Sequence, residues 1–238
     1  MSRINREPAF VLSSAPWRES SLRVEVFSRH HGRVSLLARS ARKRQSELRG
    51  VLVPFVPLTV SWFGQNELRT LHRAEWVGGW AQPQGKNLLS ALYVNELMLK
   101  LTARDDPHSG LYDALQQVMQ ALAQATHGHG ALRVFEWQLL HACGFAPDLQ
   151  YDAAGQTITA DGWYKMLPEE PPQAVEEAAS DAVYVHGSTL HALFSGSLHT
   201  DEALNEALRL NRMMLDFRLA GNIHSRHLVQ QIIDFHRR

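Results

Sequence analysis

Leu22-Arg23-Val24-Glu25-Val26-Phe27-Ser28-Arg29 alternates apolar and polar side chains, the period of a strand with one buried face. His31-Gly32 turns the chain, and Arg33-Val34-Ser35-Leu36-Leu37-Ala38 resumes the alternation, so the two runs read as a hairpin. Upstream, Ala9-Phe10-Val11-Leu12-Ser13 is a short apolar run closed by Ala15-Pro16-Trp17. Downstream, Val51 to Phe63 is strand-like, with Pro54 and Pro57 demanding bends or edge positions. Gly64-Gln65-Asn66 turns the chain again before a fifth strand, Leu68 to Trp76. Five short strands within about 70 residues predict a small closed barrel.

Residues 79–86 carry the glycines and proline of a linker, which divides the chain into a barrel domain, 1–80, and a second domain, 81–238. Beyond the linker the period changes. Leu88, Leu89, Leu92, Leu97, Leu99 and Leu101 mark a helix that ends before Asp105-Asp106-Pro107. Leu111–Ala125 and Ala131–Cys143 are two more, and helices with such short connections are expected to pack as a bundle. Residues 145–187 are irregular, with short strands expected at Gln156–Ala160 and Ala182–His186. Helical patterning returns at Ser188–Phe194, at Asp201–Ala220 and at Ser225–His236; Thr200 or Asp201 is the N-cap of the middle one and Gly221 its stop. The fold class is α+β.

Lys+Arg and Asp+Glu both total 24, yet the two parts divide them unequally. Residues 1–80 hold 13 basic and 6 acidic side chains, a formal +7, and the remainder carries the compensating −7. A domain that concentrates positive charge offers a surface to a polyanion. Its densest stretch is Arg39-Ser40-Ala41-Arg42-Lys43-Arg44-Gln45-Ser46-Glu47-Leu48-Arg49-Gly50, set between strand-like sequences. Arginine outnumbers lysine 20 to 4, which suits phosphate recognition but is equally a product of genomic base composition.

Several chemistries find no support. Neither a Walker-type phosphate loop, nor G-x-G-x-x-G, nor a G-x-S-x-G elbow occurs; Gly187-Ser188 reads as a helix cap and Ser195-Gly196-Ser197 as a turn. Cys143, the single cysteine, excludes an internal disulfide and reads as a buried core thiol. His127 with His129, and His224 with His227, lack the partners that a structural zinc needs and read as surface histidines. Asp105-Asp106 fits turn chemistry better than paired-carboxylate catalysis. A signal-peptide h-region and apolar runs of membrane-spanning length are both missing, so a soluble cytoplasmic protein is expected; the empty motif search leaves no enzymatic activity and no cofactor to expect.

A barrel that binds single strands needs cations along the backbone path and aromatic faces for bases. Arg39, Arg42, Lys43, Arg44 and Arg49 supply the cations, and Arg29 and Arg33 at the hairpin turn extend the patch. Trp62, with Trp17 and Phe63, is a candidate stacking platform; each suits the barrel core or rim equally well. The alternative is an adaptor whose basic segment docks an acidic partner domain rather than DNA.

The order of residues also resembles the RecO family of bacterial recombination mediators. Ala9-Phe10-Val11-Leu12 followed by Pro16 to Leu22, Phe27-Ser28-Arg29 with Gly32-Arg33-Val34, and Ala38 to Arg42 carry the first part of the likeness. Leu52 to Leu58, Gly64 to Leu71, Tyr93 to Leu97, Phe135 to Leu140 with Gly144 to Leu149, and Ser225 to Leu228 carry the rest. The resemblance implies an N-terminal OB-fold barrel and a helical domain with a small zinc-finger-like insertion. It further implies annealing of complementary strands and loading of RecA onto gaps coated with single-strand-binding protein (SSB), with RecR and in some organisms RecF as partners. Many members carry four zinc-ligating cysteines after the segment matching Gly144–Leu149; residues 150–161 here hold none, so the insertion is expected to do without metal. The SSB tail that the family recognises is acidic with an apolar end. Arg133 beside Phe135 and Leu139, with Arg209 and Arg212 on a later helix, is the candidate receptor.

Overall fold

The computed structural model describes residues 3–124 and 128–228. Contacts divide the chain into two compact units, Met1–Gln124 and Ala125–Arg238. The first holds β1 (Arg3–Trp17), β2 (Ser21–Ser28), β3 (Gly32–Ala38), β4 (Pro57–Phe63) and β5 (Leu68–Trp76), then α1 (Lys86–Leu101) and α2 (Ser109–Ala123). The strands close into a barrel in the order β1-β2-β3-β5-β4, antiparallel except for the β3–β5 pair. The change of composition at 79–86 marks where the chain leaves the barrel. The division by contact falls later, because α1 packs on β1 and α2 on α1.

β2, β3 and β5 follow the alternation in the sequence. β1 is longer than its apolar run suggests: its first half pairs with β4, from Arg3↔Phe63 to Phe10↔Pro57, and its second half with β2, from Ala9↔Ser28 to Trp17↔Ser21. One strand serving two neighbours must bend, and β1 does so at register shifts between Ile4 and Glu7 and between Val11 and Ser13. Buried Asn95 of α1 donates its amide to Val11 O at 3.2 Å and Leu12 O at 2.9 Å, so the irregularity is also where α1 docks. β4 begins only at Pro57; residues 51–56 form turns, with Phe55 at φ 74°.

Val24, Val26, Val34, Leu36, Leu58, Val60 and Trp62 fill the barrel. At the β2–β3 turn Gly32 has φ 64°, and a Cβ there would lie 2.0 Å from Asp106 O. Conformation and space both require glycine at that position.

The second unit holds α3 (Gly128–Ala142), β6 (Trp163–Met166), β7 (Gln173–Val175), β8 (Val183–His186), α4 (Gly187–Ser195) and α5 (Asp201–Leu219). α3 packs on α4 and α5, so the three helices expected to form one bundle are divided between the units. The insertion is a three-stranded sheet in the order β7-β6-β8. β8 matches the strand expected at 182–186, whereas 156–160 contributes only an isolated bridge, Tyr151↔Thr157, and β6 and β7 come where none is expected. His186, not Gly187-Ser188, occupies the cap position of α4, and Cys143 is half-buried rather than a core residue. Thr200 caps α5, its hydroxyl accepting from Ala203 N at 3.2 Å, and Ala220 closes it in the left-handed conformation just before Gly221. Residues 224–228 are helical; the rest of the expected Ser225–His236 helix lies outside the described residues.

Candidate nucleic-acid interface

The basic segment is part of the connection from β3 to β4, and it is built rather than slack. Successive backbone bonds from Lys43 N to Ser40 O, Ser46 N to Lys43 O and Arg49 N to Ser46 O (3.0, 3.1 and 3.1 Å) make a chain of tight turns. Arg42 N donates to Ser20 O at 2.9 Å, tying the loop to the β1–β2 turn. Ala41, Leu52, Phe55 and Val56 are buried, so the loop is nailed down at both ends. Along this stretch Arg39, Arg42, Lys43, Arg44 and Arg49 stand exposed. Among the described residues none of the five has a carboxylate within ion-pair distance. A shallow cavity of about 450 Å³, lined by Ser40, Lys43, Arg44, Gln45 and Ser46, opens between them.

The other cations assigned from sequence are employed inside the protein. Arg29 makes a two-pronged pair with Asp113, at 2.8 and 2.9 Å, and lies over the Tyr112 ring. Burial pushes the Tyr112 phenol up to about 12, with Arg29 opposing. The Arg33 side chain is only 16% exposed; it donates to Thr102 O at 2.9 Å and lies 3.8 Å from Glu25. Burial pulls its guanidinium below the ordinary value, and the Glu25 carboxylate opposes that shift. Buried Glu25 also gathers Arg23 at 3.1 Å, Arg104 at 2.9 Å and the Ser35 hydroxyl at 2.8 Å.

The aromatic assignment changes as well. Trp62 is 1% exposed, with its ring edge-on to His31, so it is a core residue and no platform for bases. Trp17 and Phe63 are half-buried. The open indole beside the loop is Trp76, 57% exposed, whose Nε1 donates to Val51 O at 2.8 Å. In the sequence Trp76 shows only as the end of the fifth strand. Its position two residues before Gly78-Gly79, where β5 leaves the barrel, was the available signal.

In the second unit Phe135 and Leu139 are 1% and 0% exposed and belong to the core. Arg133 is ion-paired to buried Glu136 at 2.7 Å, and Asn211 ties Glu136 Oε2 (3.0 Å) and Arg133 O (2.8 Å) together. Arg133 also lines a cavity of about 420 Å³ with His129, Asp201, Leu204, Asn205 and Leu208. The apolar company it keeps there is thus Leu204 and Leu208 of α5, which lie about 70 residues away along the chain. Arg209 and Arg212 are exposed on α5, with Arg212 3.7 Å from Asp216. His127, half of one expected histidine pair, lies outside the described residues.

Two family profiles cover nearly the whole chain: "Recombination protein O N terminal" matches residues 1–80 and "Recombination protein O C terminal" matches 82–227. The chain belongs to the RecO family. The protein named DNA repair protein RecO in Neisseria gonorrhoeae (strain NCCP11945) is 55% identical over 243 residues, covering 99% of this chain and 97% of the relative. Proteins of the same name in Laribacter hongkongensis (strain HLHK9) and Chromobacterium violaceum are 43% and 41% identical, each spanning 97% of this chain and 96% of the relative. Membership of the RecO family assigns the chain to DNA repair and recombination, and its closed five-stranded barrel is OB-like. No helix among the described residues is long and apolar enough to cross a membrane.

Proposed function

We propose that this RecO-family chain is a recombination mediator that binds single- and double-stranded DNA through phosphates and anneals complementary strands. The supporting observation is the β3–β4 loop: five exposed cations without carboxylate partners among the described residues, on a backbone already fixed by its own turns. Phosphate contacts carry no base preference, so screening strand repulsion leaves the bases free to pair. Arg39, Arg42, Lys43, Arg44 and Arg49 bear this role; Trp76, rather than Trp62, is the aromatic face within reach of the loop. The working partition is a DNA-binding barrel domain, 1–80, and a partner-binding domain, 81–238. In the latter the cavity at Arg133, with Arg209 and Arg212 nearby on α5, receives the acidic, apolar-ended SSB tail. RecA loading onto SSB-coated strands with RecR, and with RecF where present, follows as the cytoplasmic role at the nucleoid, with no covalent step.

The test is annealing of complementary oligonucleotides, with and without SSB, across a salt series. Reversing Arg42, Lys43 and Arg44 to Glu is expected to abolish annealing at moderate salt. The log–log salt slope of single-strand binding should flatten by about 2. Unchanged affinity and slope would move the loop to the rival reading, an adaptor surface for an acidic protein partner. Fluorescence anisotropy of a tail peptide, unaffected by Arg133→Glu, would remove the tail assignment.

A further inference from the structure

We propose that His186, Glu202 and Glu206 form a Zn²⁺ site that fastens the inserted sheet to α5. The three ligand atoms lie within 4.8 Å of one another, the one such group among the described residues. His186 Nδ1 is 2.8 Å from Glu206 Oε1 and 3.9 Å from Glu202 Oε1. Tetrahedral zinc with bonds of about 2.0–2.1 Å holds its ligands roughly 3.3 Å apart, a value those two separations bracket.

The local architecture orients each ligand. Glu202 and Glu206 are one turn apart on a single face of α5, and His186 ends β8 where the chain enters α4. The Glu206 side chain is 3% exposed, and its Oε2 accepts from His186 N at 3.0 Å and from the Thr189 hydroxyl at 2.6 Å. Those bonds aim Oε1 at the imidazole, the way supporting hydrogen bonds aim metal-binding carboxylates. Trp163 packs against the His186 ring, with centroids 3.5 Å apart. A cavity of about 380 Å³, lined by His186, Ser197, His199 and Glu202, provides entry and room for a fourth ligand. Two carboxylates balance the charge of a divalent cation, one of them in a buried place where an anion is costly alone. An imidazole among oxygen ligands selects zinc over magnesium or calcium.

This ligand set owes nothing to cysteines: His186 stands alone in the insertion by spacing, and its two partners lie on α5, beyond it. The test uses the full chain stripped with a chelator and titrated with Zn²⁺ by calorimetry and with Co²⁺ by visible absorption. One equivalent should bind, Co²⁺ should give the intense visible bands of a four-coordinate site, and Zn²⁺ should raise the melting temperature by several degrees. Glu202 is 74% exposed, so Glu202→Gln should leave the metal-free melting temperature unchanged while weakening binding at least tenfold and removing the Zn²⁺-induced rise. No binding by the parent chain would overturn the site. So would binding and a spectrum indifferent to Glu202→Gln and His186→Gln, which would assign the metal to other histidines.

Discussion

Two arginine-rich regions of the first unit make opposite use of the same side chain. On the β2–β3 face Arg23, Arg33 and Arg104 converge on buried Glu25, Arg104 reaches Glu67, and Arg69 meets Asp105 at 2.6 Å. In the β3–β4 loop the cations project into solvent with only Glu47 among them. The first arrangement holds strands and the 102–106 segment together. The second leaves its field unspent, and charges in water that lack a local counter-charge act over about a Debye length. A tally of positive residues counts both alike; only the fold separates structural cations from available ones.

The sharpest way to break this comparison is Glu25→Ala. It takes the shared carboxylate from Arg23, Arg33 and Arg104, leaving mostly buried Arg33 without a counter-charge, and should cost about 3–5 kcal/mol of unfolding free energy, read by urea denaturation. The triple reversal at Arg42, Lys43 and Arg44 should do the converse. DNA binding at low salt should weaken roughly a hundredfold while the urea midpoint stays in place. Alkaline titration probes the paired side again. The Tyr112 phenol stays neutral in the folded chain to about 12, whereas an unfolded tyrosine ionises near 10. Its contribution is therefore complete below pH 10 and declines as the pH climbs toward 12, by on the order of 2 to 3 kcal/mol, a loss that Tyr112→Phe should remove. The smallest effect belongs to the loop's neighbour. Trp76→Ala should weaken single-strand binding by about 1 kcal/mol, seen as a roughly fivefold higher Kd, with double-strand binding unaltered.

Much of the barrel was legible because strand alternation is a local signal. The β2–β3 hairpin and β5 emerge from it almost residue for residue. The same signal, followed in phase, puts Trp62 on the inward side with Leu58 and Val60 and decides between base platform and core in favour of the core. Residues 51–56 look like strand but turn, since two prolines and the left-handed Phe55 override apolar character. β6 and β7 span four and three residues, too few for any period to declare itself. The five loop cations were legible as a cluster. Their lack of carboxylate partners among the described residues was not, and neither was the employment of Arg29 and Arg33, because Asp113 and Thr102 lie some 70 to 85 positions along the chain.

The turns that close the basic loop have a kinetic consequence. A loop that is ordered before its ligand arrives gives up little conformational freedom on contact, so encounter is governed by long-range attraction rather than by a folding step. Among residues 39–50 there is no aromatic side chain. On the proposed reading a strand held on the loop is gripped mainly by ions, with Trp76 beside it the aromatic contact, and ions in solution can take the place of each ionic contact in turn. The expected signature is fast capture with short residence, in which a bound strand slides or leaves long before the protein rearranges.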